Sequence, residues 1–219
     1  THRGTLFPYT TLFRSRIEKG ESIGNFYMWR YAGHTEDGEW LVYDKSGDII
    51  RASQATADDR VKVGNGLPKF TLSSSQNFRY RNFDLSLFFR GAFGYDIFNI
   101  HDFYYANRNF TGNRLQKAYG KNFKISGNAN PVVCDYFLER GDYLKLDMIT
   151  LGYTLNLQKC RFIDRIRVYG TVKNVFTLTK FSGVDPSTYQ VNGLTPSGQG
   201  SRDYYPSTRQ FIIGLNVDI

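Results

Sequence analysis

Residue types that can do chemistry are present in this chain, but none is grouped at a catalytic or metal-binding spacing. His2, His34 and His101 are isolated, and none has a second metal-ligand residue at a suitable distance along the chain. We find no phosphate-binding loop, serine nucleophile elbow or dinucleotide fingerprint, and no carboxylate pair spaced as an acid and a base. The sequence therefore predicts no enzyme activity, no cofactor and no metal site.

Residues 44–48, DKSGD, have two interpretations, a calcium-binding loop and a solvated turn. A calcium loop needs ligands at its first, third and fifth positions and a glutamate farther along, and that set is incomplete here. The turn is the favoured interpretation.

Aromatic side chains are the remaining candidates for recognition, since 16% of the residues are aromatic. Many lie in a long connection, residues 96–141, and connections of such length are often functional. Two interpretations stay open: exposed rings that stack on sugar rings or hold a partner, and a loop folded on itself. The candidate contact residues for substrate or partner are Phe103, Tyr104, Tyr105, Tyr189 and Tyr204.

The charge balance is basic, with a net charge of +8 from 28 Lys and Arg against 20 Asp and Glu. Basic chains with interleaved aromatic residues include nucleic-acid-binding proteins. Here the cations are scattered singly, which favours a solvated surface or a polar lumen. No nucleic-acid partner is predicted.

The end of the chain, residues 209–219, gives the clearest secondary-structure signal. Apolar residues occupy every second position, namely Phe211, Ile213, Leu215, Val217 and Ile219. A strand with one face on lipid and the other on a wet lumen has this pattern, whereas no apolar run is long enough for a membrane helix. Ile219 is therefore expected to end the closing strand of an outer-membrane barrel.

Six strands are predicted, enough for part of an antiparallel up-and-down sheet. They are residues 23–33, 69–80, 83–95, 142–155, 165–178 and 209–219. Within the fourth strand the hydrophobic phase slips, which predicts a β-bulge between Asp147 and Ile149. In the fifth, Arg167, Tyr169, Thr171 and Lys173 are expected to face inward.

The predicted connections alternate between long loops and short turns. The long loops are residues 34–68, 96–141 and 181–206, and the short turns are residues 81–82 and 156–162. Outer-membrane barrels have short periplasmic turns and long extracellular loops, so the C-terminus is expected on the periplasmic side. Cys134 and Cys160 then lie on opposite sides of the membrane, and no disulfide between them is expected. Because the smallest bacterial barrel has about eight strands, the fold class is an all-β, incomplete transmembrane β-barrel segment.

Several sequence blocks resemble a known family in their order and spacing. They are RGDYLKL at 140–146, ITLGYTL at 149–155, NVFTLTKFSGVDP at 174–186, YPSTR at 205–209 and GLNV at 214–217, with GNGLPKF at 64–70 and NFDL at 82–85 upstream. They resemble the SusC/RagA family of TonB-linked outer-membrane transporters, over residues 23–219. Ile219 departs from the family, which usually ends in an aromatic residue.

The resemblance implies a large β-barrel in the cell outer membrane that imports oligosaccharides or peptides. It also implies a SusD-like surface lipoprotein as partner, and a plug domain and TonB box, absent from these residues, through which the TonB complex acts. Residues 17–219 are then the C-terminal portion of the receptor barrel. Residues 1–16 are expected to be a non-native lead-in, because THRGTLFPYTTLFRS resembles a translated sequencing adapter; the alternative is an ordinary polar segment.

Two other function classes stay open. A soluble all-β carbohydrate-binding module would cover the apolar faces of its strands with a second sheet. An outer-membrane barrel enzyme would need a catalytic cluster near the extracellular rim, which the sequence does not show.

Overall fold

The computed structural model describes residues 19–107, 110–119, 131–157, 162–188 and 205–219. The chain divides into two compact units. The first contains the described parts of residues 19–67 and 95–139. The second contains Pro68–Gly94, Arg140–Thr188 and the described residues 205–219.

The described residues form short and long strands and one short helix. In chain order these are β1 (Asn25–Met28), β2 (Arg30–His34), β3 (Trp40–Tyr43), β4 (Ile49–Arg51), β5 (Val61–Asn65), β6 (Phe70–Tyr80), β7 (Phe83–Phe93), β8 (Asp96–Phe98), α1 (Ile100–Tyr105), β9 (Leu138–Arg140), β10 (Tyr143–Asn156), β11 (Arg165–Thr179) and β12 (Gln210–Asp218). Single 3-10 turns lie at Ala57–Asp59, Gln116–Tyr119, Asp135–Phe137 and Pro186–Thr188.

The second unit is built on one antiparallel sheet with the strand order β12-β11-β10-β7-β6. Sequence-adjacent long strands are neighbours, so this is an up-and-down sheet, and five of the six predicted strands are confirmed to within two residues at each end. Short turns join β6 to β7 and β10 to β11 at one end. The long connections leave from the other end. In the described part of the chain, β6 and β12 do not pair with each other, and the sheet is not closed.

The predicted bulge in β10 is confirmed. Against β7, Leu146 pairs with Phe89 and Met148 with Phe88, so Asp147 is an extra residue on β10. Against β11 the register also shifts between Leu146 and Met148, but there β11 has one residue more than β10. On β11 the matching irregularity contains Asn174, with φ of 55°, a left-handed conformation that asparagine tolerates. The Arg209 guanidinium donates to the carbonyls of Asn174 and Val175, at 3.4 and 2.6 Å, which satisfies backbone acceptors at the irregularity.

The sheet has one charged face and one apolar face. Residues directly opposite each other across a strand pair lie on the same face, and the registers place the paired charged residues of the five strands together. Asp147, which has no register partner, joins them through its ion pair with Arg90. This polar face carries Arg79, Asp84, Arg90, Lys145, Asp147, Arg165, Arg167, Lys173 and Asp218. The four inward positions predicted for β11, Arg167, Tyr169, Thr171 and Lys173, all lie on this face.

The apolar face is largely exposed. Phe211, Ile213, Leu215 and Val217 are 74%, 87%, 61% and 42% exposed, as expected of a strand with no protein layer over it. Other exposed apolar residues of this face are Phe70, Leu72, Phe78, Tyr80, Phe83, Leu151, Tyr153, Leu155, Val168, Phe176 and Leu178. One polar interruption occurs on the edge strand β6, where Gln76 donates to Ser74 at 2.7 Å.

Three sequence-based predictions for the first unit are wrong. Residues 23–33 are not one strand, because the chain breaks at Trp29 into β1, paired with β5, and β2, paired with β3. Residues 34–68 are not a loop, since they contain β3, β4 and β5, and residues 96–141 contain β8, α1 and β9. These strands have three to five residues and pack into a local core, so their alternation is too brief to be recognised among polar neighbours.

The core of the first unit is mainly aromatic. Its buried residues are Phe26, Met28, Trp40, Phe98, Ile100, Phe103, Cys134 and Phe137. Residues 44–48 form the hairpin turn between β3 and β4, where the Asp44 carboxylate accepts hydrogen bonds from the amides of Ser46 and Asp48, each at 2.8 Å. The turn interpretation of this segment is therefore confirmed.

Helices contribute little to the described ranges. The single α-helix there, α1, has six residues, and none of the described helices is long and apolar enough to cross a membrane. Cys134 is a free, buried thiol. Cys160 lies outside the described residues, so the absence of a disulfide stays a prediction.

We expect Cys134 to be inert toward thiol reagents in the folded protein. Burial raises the pKa of the Cys134 thiol to about 12, so at pH 8 its thiolate fraction is about a thousandfold lower than that of an ordinary cysteine. Maleimide labelling followed by peptide mass spectrometry checks this. Ser46→Cys, at an exposed turn, is the positive control; labelling of Cys134 at a rate near that of Ser46→Cys would contradict the buried core.

Candidate functional site

The polar face of the sheet is the candidate functional surface, and its short-turn end is organised by an ion pair that crosses a strand. Asp84 on β7 and Arg167 on β11 form two parallel hydrogen bonds, Nε to Oδ1 at 2.9 Å and Nη2 to Oδ2 at 2.5 Å. Between them lies β10, at Gly152. A Cβ on Gly152 would stand 2.5 Å from Asp84 Oδ1 and 2.6 Å from Arg167 Nη2. Glycine is therefore what allows the pair to form.

A second glycine supports the same cluster. The Arg167 guanidinium lies 4.9 Å from the centroid of the Tyr169 ring, a cation–π contact. The ring in turn covers Gly214 on β12, where a Cβ would come within 2.2 Å of it. Arg165 donates to Asp218 at 2.7 Å and ties the start of β11 to the end of β12. This end of the polar face is thus a cross-linked layer of side chains.

The long-connection end of the polar face contains a buried ion pair. Lys145 is 2% exposed, and its Nζ lies 3.2 Å from Asp185 Oδ2, 3.3 Å from Ser187 Oγ and 3.8 Å from Asp147 Oδ1. Asp147, the bulge residue, also pairs with Arg90. The charged groups of β7, β10 and the segment after β11 are therefore joined in one network.

Asp185 connects this network to the approach to β12. Its carboxylate accepts from Ser207 Oγ at 2.6 Å and from the Ser187 amide at 2.8 Å. Burial alone raises the pKa of Asp185, but the hydrogen bonds from Ser207 and Ser187 and the charge of Lys145 outweigh it, so the pKa lies below its ordinary value. The carboxylate is charged at neutral pH.

Three of the five aromatic residues predicted to contact solute or partner lie among the described residues, all in or beside the core of the first unit. Phe103 is 7% exposed and packs in the core of the first unit, with its ring 5.2 Å from Phe137. Tyr104 and Tyr105 are half-buried on α1. Tyr189 and Tyr204 lie outside the described residues. Core packing is thus the visible role of Phe103, and a contact to solute or partner stays a prediction for the tyrosines.

Besides the Asp84–Arg167 pair, sequence reasoning missed two features of this chain. One is the Lys145–Asp185 pair, whose members are 40 residues apart; both fall in blocks that carry the family resemblance, which is the signal that could have singled them out. The other is a set of mutually packed rings in the first unit. Its ring centroids are separated by 4.3 to 6.2 Å, among Tyr31, His34, Trp40 and Tyr136. Across the described ranges, no cluster of three His, Cys, Asp or Glu residues could hold a metal ion.

The comparisons with known proteins agree on one class. No family model matches the chain. It is 27% identical to TonB-dependent receptor P3 of Formosa agariphila, over 92% of this chain and 22% of that protein. It is also 27% identical to TonB-dependent receptor SusC of Bacteroides thetaiotaomicron, over 91% of this chain and 18% of that protein. The chain is SusC/RagA-like. It spans about one fifth of the length of these relatives.

Solved structures show the same fold. The RagAB peptide importer in its open-open state matches 97% of this SusC/RagA-like chain and 25% of its own, with a TM-score of 0.71 at 21% identity. A second RagAB peptide transporter structure matches 88% of this chain and 22% of its own, with a TM-score of 0.68 at 23% identity. These likenesses support the barrel-type fold.

We expect Gly152→Ala to destabilise the sheet. The added methyl group overlaps the Asp84–Arg167 pair, and overpacking of this kind costs about 1–3 kcal/mol. Urea unfolding in lipid vesicles, followed by intrinsic fluorescence, measures the effect. Gly170→Ala is the matched control, because Gly170 lies on β11 with nothing within 4 Å of an added Cβ. Equal stability of the two variants would show that the pair does not need the glycine.

We expect Asp185→Asn to cost about 3–5 kcal/mol, the scale for breaking a buried ion pair, because it leaves the buried Lys145 ammonium with only the more distant Asp147 carboxylate, 3.8 Å away. Lys145→Met combined with Asp185→Asn should recover most of this loss, because no buried charge then remains. The pKa of Asp185 lies below its ordinary value, so the wild-type advantage is present at neutral pH and lost as the pH falls through that depressed value. Urea unfolding of the three proteins at neutral and acidic pH tests both expectations. A double variant as unstable as Asp185→Asn would contradict them.

Proposed function

We propose that this chain forms part of the barrel wall of an outer-membrane TonB-dependent transporter. The observation that carries the proposal is the separation of side chains across the sheet. Every charged residue of the five long strands is on one face, while the opposite face is apolar and largely exposed. Such a sheet is suited to lipid on one side and a wet lumen on the other.

The strand directions fit the same role. The turns joining β6 to β7 and β10 to β11 are short, and the connections from β7 to β10 and from β11 to β12 are long. In bacterial barrels this asymmetry separates the periplasmic from the extracellular side. With that orientation, the C-terminus lies at the periplasmic side of the outer membrane.

The relatives support a proposal for the solute and the partners. We propose import of oligosaccharides or peptides together with a SusD-like lipoprotein, driven by the TonB complex. The named relatives are receptors, one of them SusC, and the solved neighbours are titled as a peptide importer and a peptide transporter. None is named as an enzyme, and we propose a transport role without catalysis. Tyr104, Tyr105, Tyr189 and Tyr204 are proposed contacts for solute or partner.

The second candidate function is a soluble carbohydrate-binding module. It requires a protein layer over Val168 and the alternating residues of β12. Val168 is 43% exposed and Ile213 is 87% exposed, so the described residues provide no such layer. The membrane wall is therefore the better-supported function.

Two neighbouring isoleucines allow a matched test of the lipid-facing surface. Ile213 is on the apolar face, whereas Ile212 is opposite Thr171 on the polar face. We expect Ile213→Lys to cost about 2–4 kcal/mol in the membrane-inserted state, because a lysine facing lipid at mid-depth is destabilising. Ile212→Lys should cost less than about 1 kcal/mol, since its ammonium group remains in water.

The measurement is recovery of the full-length protein in urea-washed outer membranes, together with urea unfolding in vesicles. Ile213→Lys should reduce both, and Ile212→Lys should behave like the wild type. Recovery of the wild-type protein in the soluble fraction without detergent would refute the membrane role. Equal effects of the two substitutions would refute the assignment of faces.

A further inference from the structure

The charges of the polar face do not cancel. Each carboxylate there has a cation within ion-pair distance, in the pairs Asp84–Arg167, Asp218–Arg165, Asp147–Arg90 and Asp185–Lys145. Among the described residues, Lys173 on β11 and Arg79 on β6 have no carboxylate within ion-pair distance. The polar face therefore keeps an excess of positive charge at two separate positions.

Lys173 lines a pocket that rests on the buried side chains of Lys145 and Asp185. The pocket has a volume of about 420 Å³ and is lined by Arg90, Lys145, Asp147, Met148, Lys173, Asn174, Ser207, Thr208 and Gln210. We name it the Lys173 pocket. Its floor is held by the 2%-exposed Lys145 and by Asp185, which accepts from Ser207 at 2.6 Å. Asn174 donates to the Ser207 carbonyl at 2.8 Å, so the segment before β12 is fixed against β11.

The chemistry of the lining favours an anionic oxygen group. Arg90 and Lys145 are already paired with carboxylates, so the exposed ammonium of Lys173 supplies the uncompensated charge. The side chains of Thr208 and Gln210 add hydroxyl and amide donors of the kind that bind carboxylate or sulfate oxygens. A cationic group would meet this excess charge without an unpaired carboxylate to receive it.

We propose that the Lys173 pocket binds an anionic substituent, a carboxylate or a sulfate, of the transported solute. The proposal rests on the transport role proposed above and assigns a chemical class to one position of the lumen wall. Arg79 provides the internal comparison, because it lies on the same face at its short-turn end, opposite Asp84, and among the described residues it too has no carboxylate within ion-pair distance.

The local charge of the pocket can be measured without knowing the solute. Gln210→Cys places a thiol opposite Lys173. Its labelling rates with the anionic 2-sulfonatoethyl and the cationic 2-trimethylammonioethyl methanethiosulfonate are compared in the full-length protein in detergent. The labelling of the parent protein, which contains Cys134 and Cys160, is subtracted.

We expect the anionic reagent to be favoured at Gln210→Cys. Adding Lys173→Gln should lower the ratio of the anionic to the cationic labelling rate about tenfold. Loss of one positive charge a few ångströms from the thiol slows the anionic reagent and speeds the cationic one. Adding Lys173→Arg or Arg79→Gln should leave the ratio unchanged. The proposal is overturned if Lys173→Gln has no effect, or if Arg79→Gln lowers the ratio as much. It is also overturned if the Gln210→Cys variant with Lys173 intact reacts faster with the cationic reagent, because another part of the protein then neutralises Lys173.

Protection experiments distinguish the sources of the anionic group. A triglycine peptide with a free carboxylate is compared with its C-terminal amide, a trigalacturonate with its neutral methyl ester, and a sulfated trisaccharide with its unsulfated form. At least one charged probe should slow labelling of Gln210→Cys severalfold while its neutral counterpart does not, and the effective probe identifies the group. If no charged probe protects, the assignment to a solute is overturned. Membrane recovery and the two isoleucine variants test the proposed barrel-wall role separately.

Discussion

The structure depends on keeping a two-residue alternation in register across five strands. Side chains of a strand alternate between faces, so a single uncompensated insertion moves every later residue to the other face. On β10 the residues Ile149 and Leu151 belong to the apolar face, and unbroken alternation would place Lys145 beside them. The extra residue Asp147 shifts the phase, which returns Lys145 to the charged face and Leu146 to the apolar one.

The charged face is cross-linked by pairs that reach over strands and beyond them. Asp84 and Arg167 meet above Gly152, and Tyr169 lies over Gly214, so two glycines act by leaving room for larger neighbours. At the other end, Lys145 reaches Asp185 in the segment that follows β11. The first arrangement connects strands within the sheet, and the second connects the sheet to one of its long connections.

The sequence predicted the sheet well because its strands are long and strictly patterned. The five confirmed strands have 9 to 15 residues, enough for alternation to exceed chance, and even the bulge at Asp147 was visible as a slip of phase. The first unit was not predicted, because β1 to β5 have three to five residues and are separated by turns. The partners of Asp84, Lys145 and Asp185 could not be predicted, since pairing between residues 40 or more positions apart requires the register of several strands at once.

The buried Lys145–Asp185 pair makes most sense as a positioning device. Transfer of two charges out of water is costly, and apolar residues in their place often give equal or greater stability. What the pair provides is a defined location for the chain before β12, because Asp185 also holds Ser207, and Ser207 is adjacent to Thr208 and Gln210. Those residues form one wall of the pocket in which Lys173 stands, and Lys173 is the one cation of that pocket without a carboxylate partner in the described part of the chain. The Lys145–Asp185 pair thus fixes the position of the pocket wall. The ammonium of Lys173 supplies the charge that can interact with a bound group.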